Sequence, residues 1–294
     1  MMAIPLNFLI RVIGIFSIIG LTRYFSEISF ISLFVSFSLG HYALGYLYSK
    51  KQILTAIRRP ETYGVTLLIL LTCLLTVHYR FPDIVLYFGL HCVLTEVYWL
   101  NKTYTAQSCL TVSRFLLNFS VYLFILRQEK VPSMVPGSFW AFGLVLSIFY
   151  FIITLKRNLP SLKHYKNETL DICLFEAAGM IPVILSLFFR IRFGDVIFYH
   201  VIMWIFIPLT QTPRMNLRDI FRYGFLTACI TGGFLLLTPL GGNCFRIPIL
   251  KLNTAVILWG YVHITSSLML SSFNPQWILR WFSPMRIYQP GRTP

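Results

Sequence analysis

Residues 138–155 read SFWAFGLVLSIFYFIITL, and no side chain in that stretch carries a charge. Coiled as a helix at 1.5 Å per residue it spans roughly 27 Å, close to the ~30 Å hydrocarbon core of a bilayer. Apolar positions run on without a period of two, which argues against a strand of a transmembrane barrel. Helices and closed barrels are the only structures that satisfy their own backbone in hydrocarbon.

Similar runs recur outward from this one, at 5–22, 28–49, 64–80, 84–100, 104–126, 169–190, 196–209, 223–239 and 253–273. The composition agrees: 56% hydrophobic, 17% aromatic and only 12% charged, outside the usual balance of a water-soluble domain. The fold class expected is all-α, a polytopic transmembrane helical bundle of about ten spans, with residues 1–294 as a single integral membrane domain. Breaks are expected at Arg59-Pro60, Phe81-Pro82-Asp83, Val131-Pro132, Pro136-Gly137, Leu159-Pro160, Thr212-Pro213 and Pro239 to Gly242. The first run begins near Met1 and lacks a small-residue cleavage site, so it reads as a retained span.

The chain has 25 Lys and Arg, and their distribution sets the orientation. Counted along ten spans, the side holding Lys50, Arg59, Lys102, Arg157, Lys163, Arg218 and Arg286 carries roughly twice as many as the side holding Arg23, Arg80, Arg127, Arg190, Arg192 and Arg246. Both termini are therefore expected in the cytoplasm, with the protein in a bacterial inner membrane. The basic residues are dispersed in short loops rather than gathered on one patch, so no nucleic-acid partner is expected. The six cysteines form no CxxC pair and mostly sit inside apolar runs, where they act as small hydrophobes.

Ionisable or metal-binding side chains at membrane depth mark functional sites. Of six histidines, His78 and His164 fall at span ends or loops and read as interfacial. His41, His91, His200 and His263 fall on the second, fourth, eighth and tenth runs, which all cross in the same direction. Each lies about eight to ten residues before the cytoplasmic end, roughly 12–15 Å in, so the four form one layer near mid-membrane. Lone histidines of this kind often hold helices together by hydrogen bonds. Four at a common depth point instead to a shared metal site, since neutral imidazole is the commonest transition-metal ligand. Glu96, Glu176 and Arg114 lie near the layer. Acids beside metal-bound histidines orient the ring through its second N–H, while Glu176 and Arg114 also suit a buried ion pair. Glu96 stands five residues after His91, about 140° around the helix, and so faces another neighbour or the headgroups. Tyr42, Tyr98, Trp99, Tyr199, Trp204, Trp259 and Tyr261 flank the histidines and suit an apolar or polyene substrate.

Four short stretches carry a family resemblance: His41-Tyr42-Ala43-Leu44, His91 with Glu96, Phe175-Glu176-Ala177-Ala178-Gly179, and Phe198-Tyr199-His200, with His263 late in the last run. In order and approximate spacing they resemble the bacterial and archaeal membrane β-carotene dioxygenases, encoded near bacteriorhodopsin-like opsins that use the retinal they supply. The resemblance implies a helical bundle whose histidines hold a non-haem Fe(II), with O₂ and an apolar isoprenoid or carotenoid drawn from the lipid bilayer as reactants. His41, His91 and His200 carry over as ligands. Two positions depart: the family's Asp after H-x-A-L is Gly45, and its histidine four residues beyond the third is Trp204. His263 is the candidate replacement ligand.

Two other classes remain open on the residues alone. Paired histidines on facing helices suit a b-type haem, and a buried polar layer suits a transporter or scaffold. No G-x-S-x-G, H-E-x-x-H or Walker loop supports hydrolase or phosphate chemistry.

Overall fold

The computed structural model describes residues 6–57, 71, 84–103, 108–129, 132–162, 166–210 and 217–270. Within them the regular structure is entirely helical: α1 (Leu6–Tyr24), α2 (Glu27–Ile57), α3 (Ile84–Thr103), α4 (Ser108–Ile125), α5 (Gly137–Leu162), α6 (Lys166–Gly179), α7 (Ile181–Phe188), α8 (Phe193–Thr210), α9 (Leu217–Leu235) and α10 (Ile249–Leu270). The expected run at 64–80, His78 and His164 lie outside the described residues, as do the breaks at Arg59-Pro60, Phe81-Pro82-Asp83 and Thr212-Pro213.

Three stretches are long and apolar enough to cross a membrane: Glu27–Leu47, Gly137–Asn158 and Thr169–Phe188. Shorter apolar helices cover Asn7–Phe16, Ile84–Val97, Cys109–Ile125 and Phe193–Phe206. On α5 the outward face carries Phe139, Phe142, Phe149, Ile152 and Ile153, all exposed. An outer surface as apolar as the inner one suits lipid as the surrounding solvent. Polar side chains inside the helices close onto their own backbone. Ser32 donates to the Ile28 carbonyl and Ser36 to that of Ser32, which avoids an unsatisfied hydroxyl.

Two boundaries differ from the sequence expectation. The run at 169–190 is two helices, since Pro182, at the start of α7, lacks an N–H for Ala178 and would crowd that carbonyl in a continuous helix. Conversely, Leu159-Pro160 does not end its helix, and α5 continues to Leu162. Only two residues follow Pro160, so the cost is confined to the last turn. Pro132 and Pro239 open 3₁₀ turns, and Pro136 precedes α5.

The packing order positions the site. Helix α2 lies against both α8 and α10, and α3 also meets both, so these four close a ring. Outside it, α1 packs on α8 and α6, α4 bridges α3 and α5, and α9 covers α2. Val35, Val97, Phe175 and Leu126 in the interior have no exposed surface.

Candidate metal centre

Each helix of the ring contributes one imidazole to its centre. Ring centroids stand 4.7 Å apart for His41 and His263, 5.4 Å for His263 and His91, 5.0 Å for His91 and His200, and 5.8 Å for His200 and His41. The circuit follows the helix contacts, α2 to α10 to α3 to α8 and back. His91 and His200 are each 2% exposed, too little for water to serve their ring nitrogens. Their Nε2 atoms have no hydrogen-bond partner, whereas the Nε2 atoms of His41 and His263 face each other at 3.2 Å. One ring of that pair donates and the other accepts. Two orphaned buried ring nitrogens cost stability unless something else engages them.

Among the described residues no group of three or more His, Cys, Asp or Glu stands in a closed ligating arrangement. The imidazoles form a closed circuit, edge to face, whose nitrogens do not converge on one point.

The two departures from the family motif take on definite places. A side chain at Gly45 would put its Cβ 3.1 Å from Cε1 of His263, so the missing side chain makes the space the His263 ring fills. Trp204 does not reach the ring as a donor. Its indole packs 5.6 Å from His41 and 6.4 Å from His200, closing one side of the cluster. Phe88 covers another side, 5.3 Å from His200, and Tyr42 lies 4.9 Å from His263.

The acidic residues near the layer serve a separate cluster. Arg114 Nε donates to Glu176 Oε1 at 2.6 Å, and Arg11 donates to Glu96 at 2.9 Å. Asn118 joins the two pairs, giving a hydrogen bond to Glu176 Oε2 and accepting one from Arg11. Two guanidiniums and two carboxylates thus balance across α1, α3, α4 and α6. Glu96, Glu176 and Arg114 engage these partners rather than the imidazoles. Tyr199 also turns away from the histidines, its ring against the position of Gly14 on α1. Trp259 stacks edge-on with Tyr46 and Tyr261 lies flat against Tyr87, while the side chains of Tyr98 and Trp99 are outside the described set.

Arg11 and Asn118 are the cluster members that motif reasoning passes over. An arginine in the middle of the first apolar run was itself the signal, because such a charge needs a buried partner. Gly45 was visible only as a departure, since a spacer role appears only when the facing helix is known.

No protein-family model, no curated protein and no solved structure matches this chain.

Proposed function

We propose that the chain is a polytopic integral membrane protein of about ten spans with both termini cytoplasmic, and that it is a non-haem iron oxygenase acting on a carotenoid or another apolar isoprenoid. The observation that carries the reading is the closed circuit of four imidazoles, one from each of four neighbouring helices. A nitrogen about 2.1 Å from a first-row metal sets its ring centroid roughly 3.2 Å from the ion, so rings sharing one ion lie about 4.5 Å apart at right angles and about 5.2 Å apart at tetrahedral angles. Two of the four separations, 4.7 and 5.0 Å, fall in that window, and the other two, 5.4 and 5.8 Å, lie just beyond it. The orphaned Nε2 atoms of His91 and His200 supply the chemical reason for an occupant.

An all-imidazole set suits ferrous iron, and bound iron would supply O₂ activation for oxidising a double bond. The protein's own part is placement. His41, His91, His200 and His263 would hold the ion, Gly45 admits His263, and Phe88, Trp204 and Tyr42 surround the site with aromatic side chains that suit an apolar substrate. A b-type haem fits less well, since the rings crowd one another and leave no slot for a macrocycle between two axial ligands. A transporter reading would rest on the Arg11–Glu96–Arg114–Glu176 cluster, but those charges are already matched to each other.

The test is metal content. Protein purified anaerobically in detergent is expected to carry near-stoichiometric iron by plasma mass spectrometry and no Soret band, and the His91→Ala and His200→Ala variants are expected to lose the iron. Well-folded protein lacking iron, or carrying haem, would overturn the reading.

A further inference from the structure

A partly open pocket lies against the faces of α3 and α8 turned away from the histidines. It is a cavity of about 420 Å³ with Arg11, Glu96 and Asn118 at its inner end and Arg23, Arg190 and Arg192 at its rim. Between these ends the walls are apolar, with Ile15, Ile19, Phe30, Val121 and Leu185 among them. Arg11 and Arg23 sit on the same helix, and the rise between them is roughly 18 Å. The space is therefore long as well as narrow, and its volume falls in the range of small-molecule sites, roughly 300–1,000 Å³.

Charge decides which end faces a ligand's head. At the inner end Arg11 is matched by Glu96 at 2.9 Å and by Glu176 at 3.6 Å, and Arg114 by Glu176, so no cation is left over for an incoming anion. The rim is different. Asp195 accepts the Arg192 backbone N–H at 2.8 Å as part of the turn into α8, and Glu27 stands exposed at the start of α2. Among the described residues none of the Arg23, Arg190 and Arg192 guanidiniums comes within 4 Å of a carboxylate, Arg192 is the one partly offset, by the nearby Asp195, and all three are exposed. Arg23 rests over the Phe189 ring at 4.0 Å, which holds its guanidinium at the rim. Three arginines around one opening also run against the charge expected of loops on the non-cytoplasmic side, where Lys and Arg are depleted. Their presence there needs a local reason.

We propose that this cavity binds a single-chain amphiphile with an anionic head, a carboxylate or a phosphate, its head against Arg190, Arg192 and Arg23 and its chain along α1 towards Arg11. Guanidinium forks pair with both head groups in the same bidentate way. The inference rests on the membrane orientation proposed above and not on the iron.

Native mass spectrometry of the full chain in detergent tests it, with palmitate, lysophosphatidylglycerol and the uncharged hexadecanol as probes. A one-to-one adduct with palmitate supports a free acid as the occupant, and one with lysophosphatidylglycerol supports a lipid phosphate. In either case hexadecanol is expected to bind at least tenfold more weakly. The surface double variant Arg190→Gln/Arg192→Gln is expected to weaken the anionic probe tenfold or more. Val121→Trp, which fills the wall, is expected to abolish its adduct. Iron content measured on the same samples is expected to be unchanged by the surface variant, so a failure of the metal reading is seen separately. Hexadecanol binding as well as palmitate, or unaltered affinity in the double arginine variant, would overturn the proposal.

Discussion

Gly45 and Trp204 carry much information per residue, because each sits directly against the imidazole circuit. With the Cβ position at Gly45 3.1 Å from the His263 ring, an added methyl group must push that imidazole or the backbone of α2 by a few tenths of an ångström. Gly45→Ala is expected to cost about 1–3 kcal/mol through overpacking. Its clearer signature is a several-fold fall in iron per folded protein, read by metal analysis beside a thermal melt. Trp204 lies one helical turn after His200 and 5.6 Å from His41, at the edge of the same circuit. In a His263→Ala background, Trp204→His is therefore expected to recover iron that the single variant has lost; no recovery would show that α8 cannot supply two ligands. Glu176 belongs to a different account. Glu176→Gln leaves the Arg114 guanidinium buried beside a neutral amide, and breaking such a pair costs about 3–5 kcal/mol. The melting temperature is expected to fall steeply, while iron per folded molecule stays constant because the cluster does not touch the imidazoles.

At the scale of helices, residues of small volume set how closely neighbours approach, as is general where lipid removes the hydrophobic incentive to pack. Gly89 on α3 faces the Tyr122 ring of α4, and a Cβ there would overlap it, within 2.8 Å of three ring carbons. Gly89→Ala is expected to pry α3 from α4, shift His91, and lower both the melting temperature and iron binding together, in contrast to Glu176→Gln. Among the described residues helix existence and type were legible, because continuous apolar runs without a period of two favour helices. Ends were less so. Pro182 was hidden inside an apolar stretch and splits one expected helix, whereas Pro160 looked like a break and is carried to the end of α5. The histidine layer was legible from depth alone, since position along a helix translates directly into height. Its surroundings were legible in part: the 140° between His91 and Glu96 turns Glu96 to another neighbour and Glu176 suits an ion pair with Arg114, both as observed, whereas depth says nothing about rotation and left Tyr199 on the wrong face.

For the whole molecule, the proposed orientation rests on the dispersed Lys and Arg. A fluorescent protein fused after Pro294 is expected to be bright and a periplasmic phosphatase fused there inactive, and the reverse pattern would invert the bundle. The circuit of α2, α3, α8 and α10 has a consequence in time as well as in space. The first imidazole of the circuit is made with His41 and the last only with His263, more than 200 residues later. On the proposed iron reading, firm capture of the metal would wait until α10 is made. A ribosome that stops after α8 leaves three of the four histidines and no closed circuit to fill, so loading would report that the last of the four helices had been added.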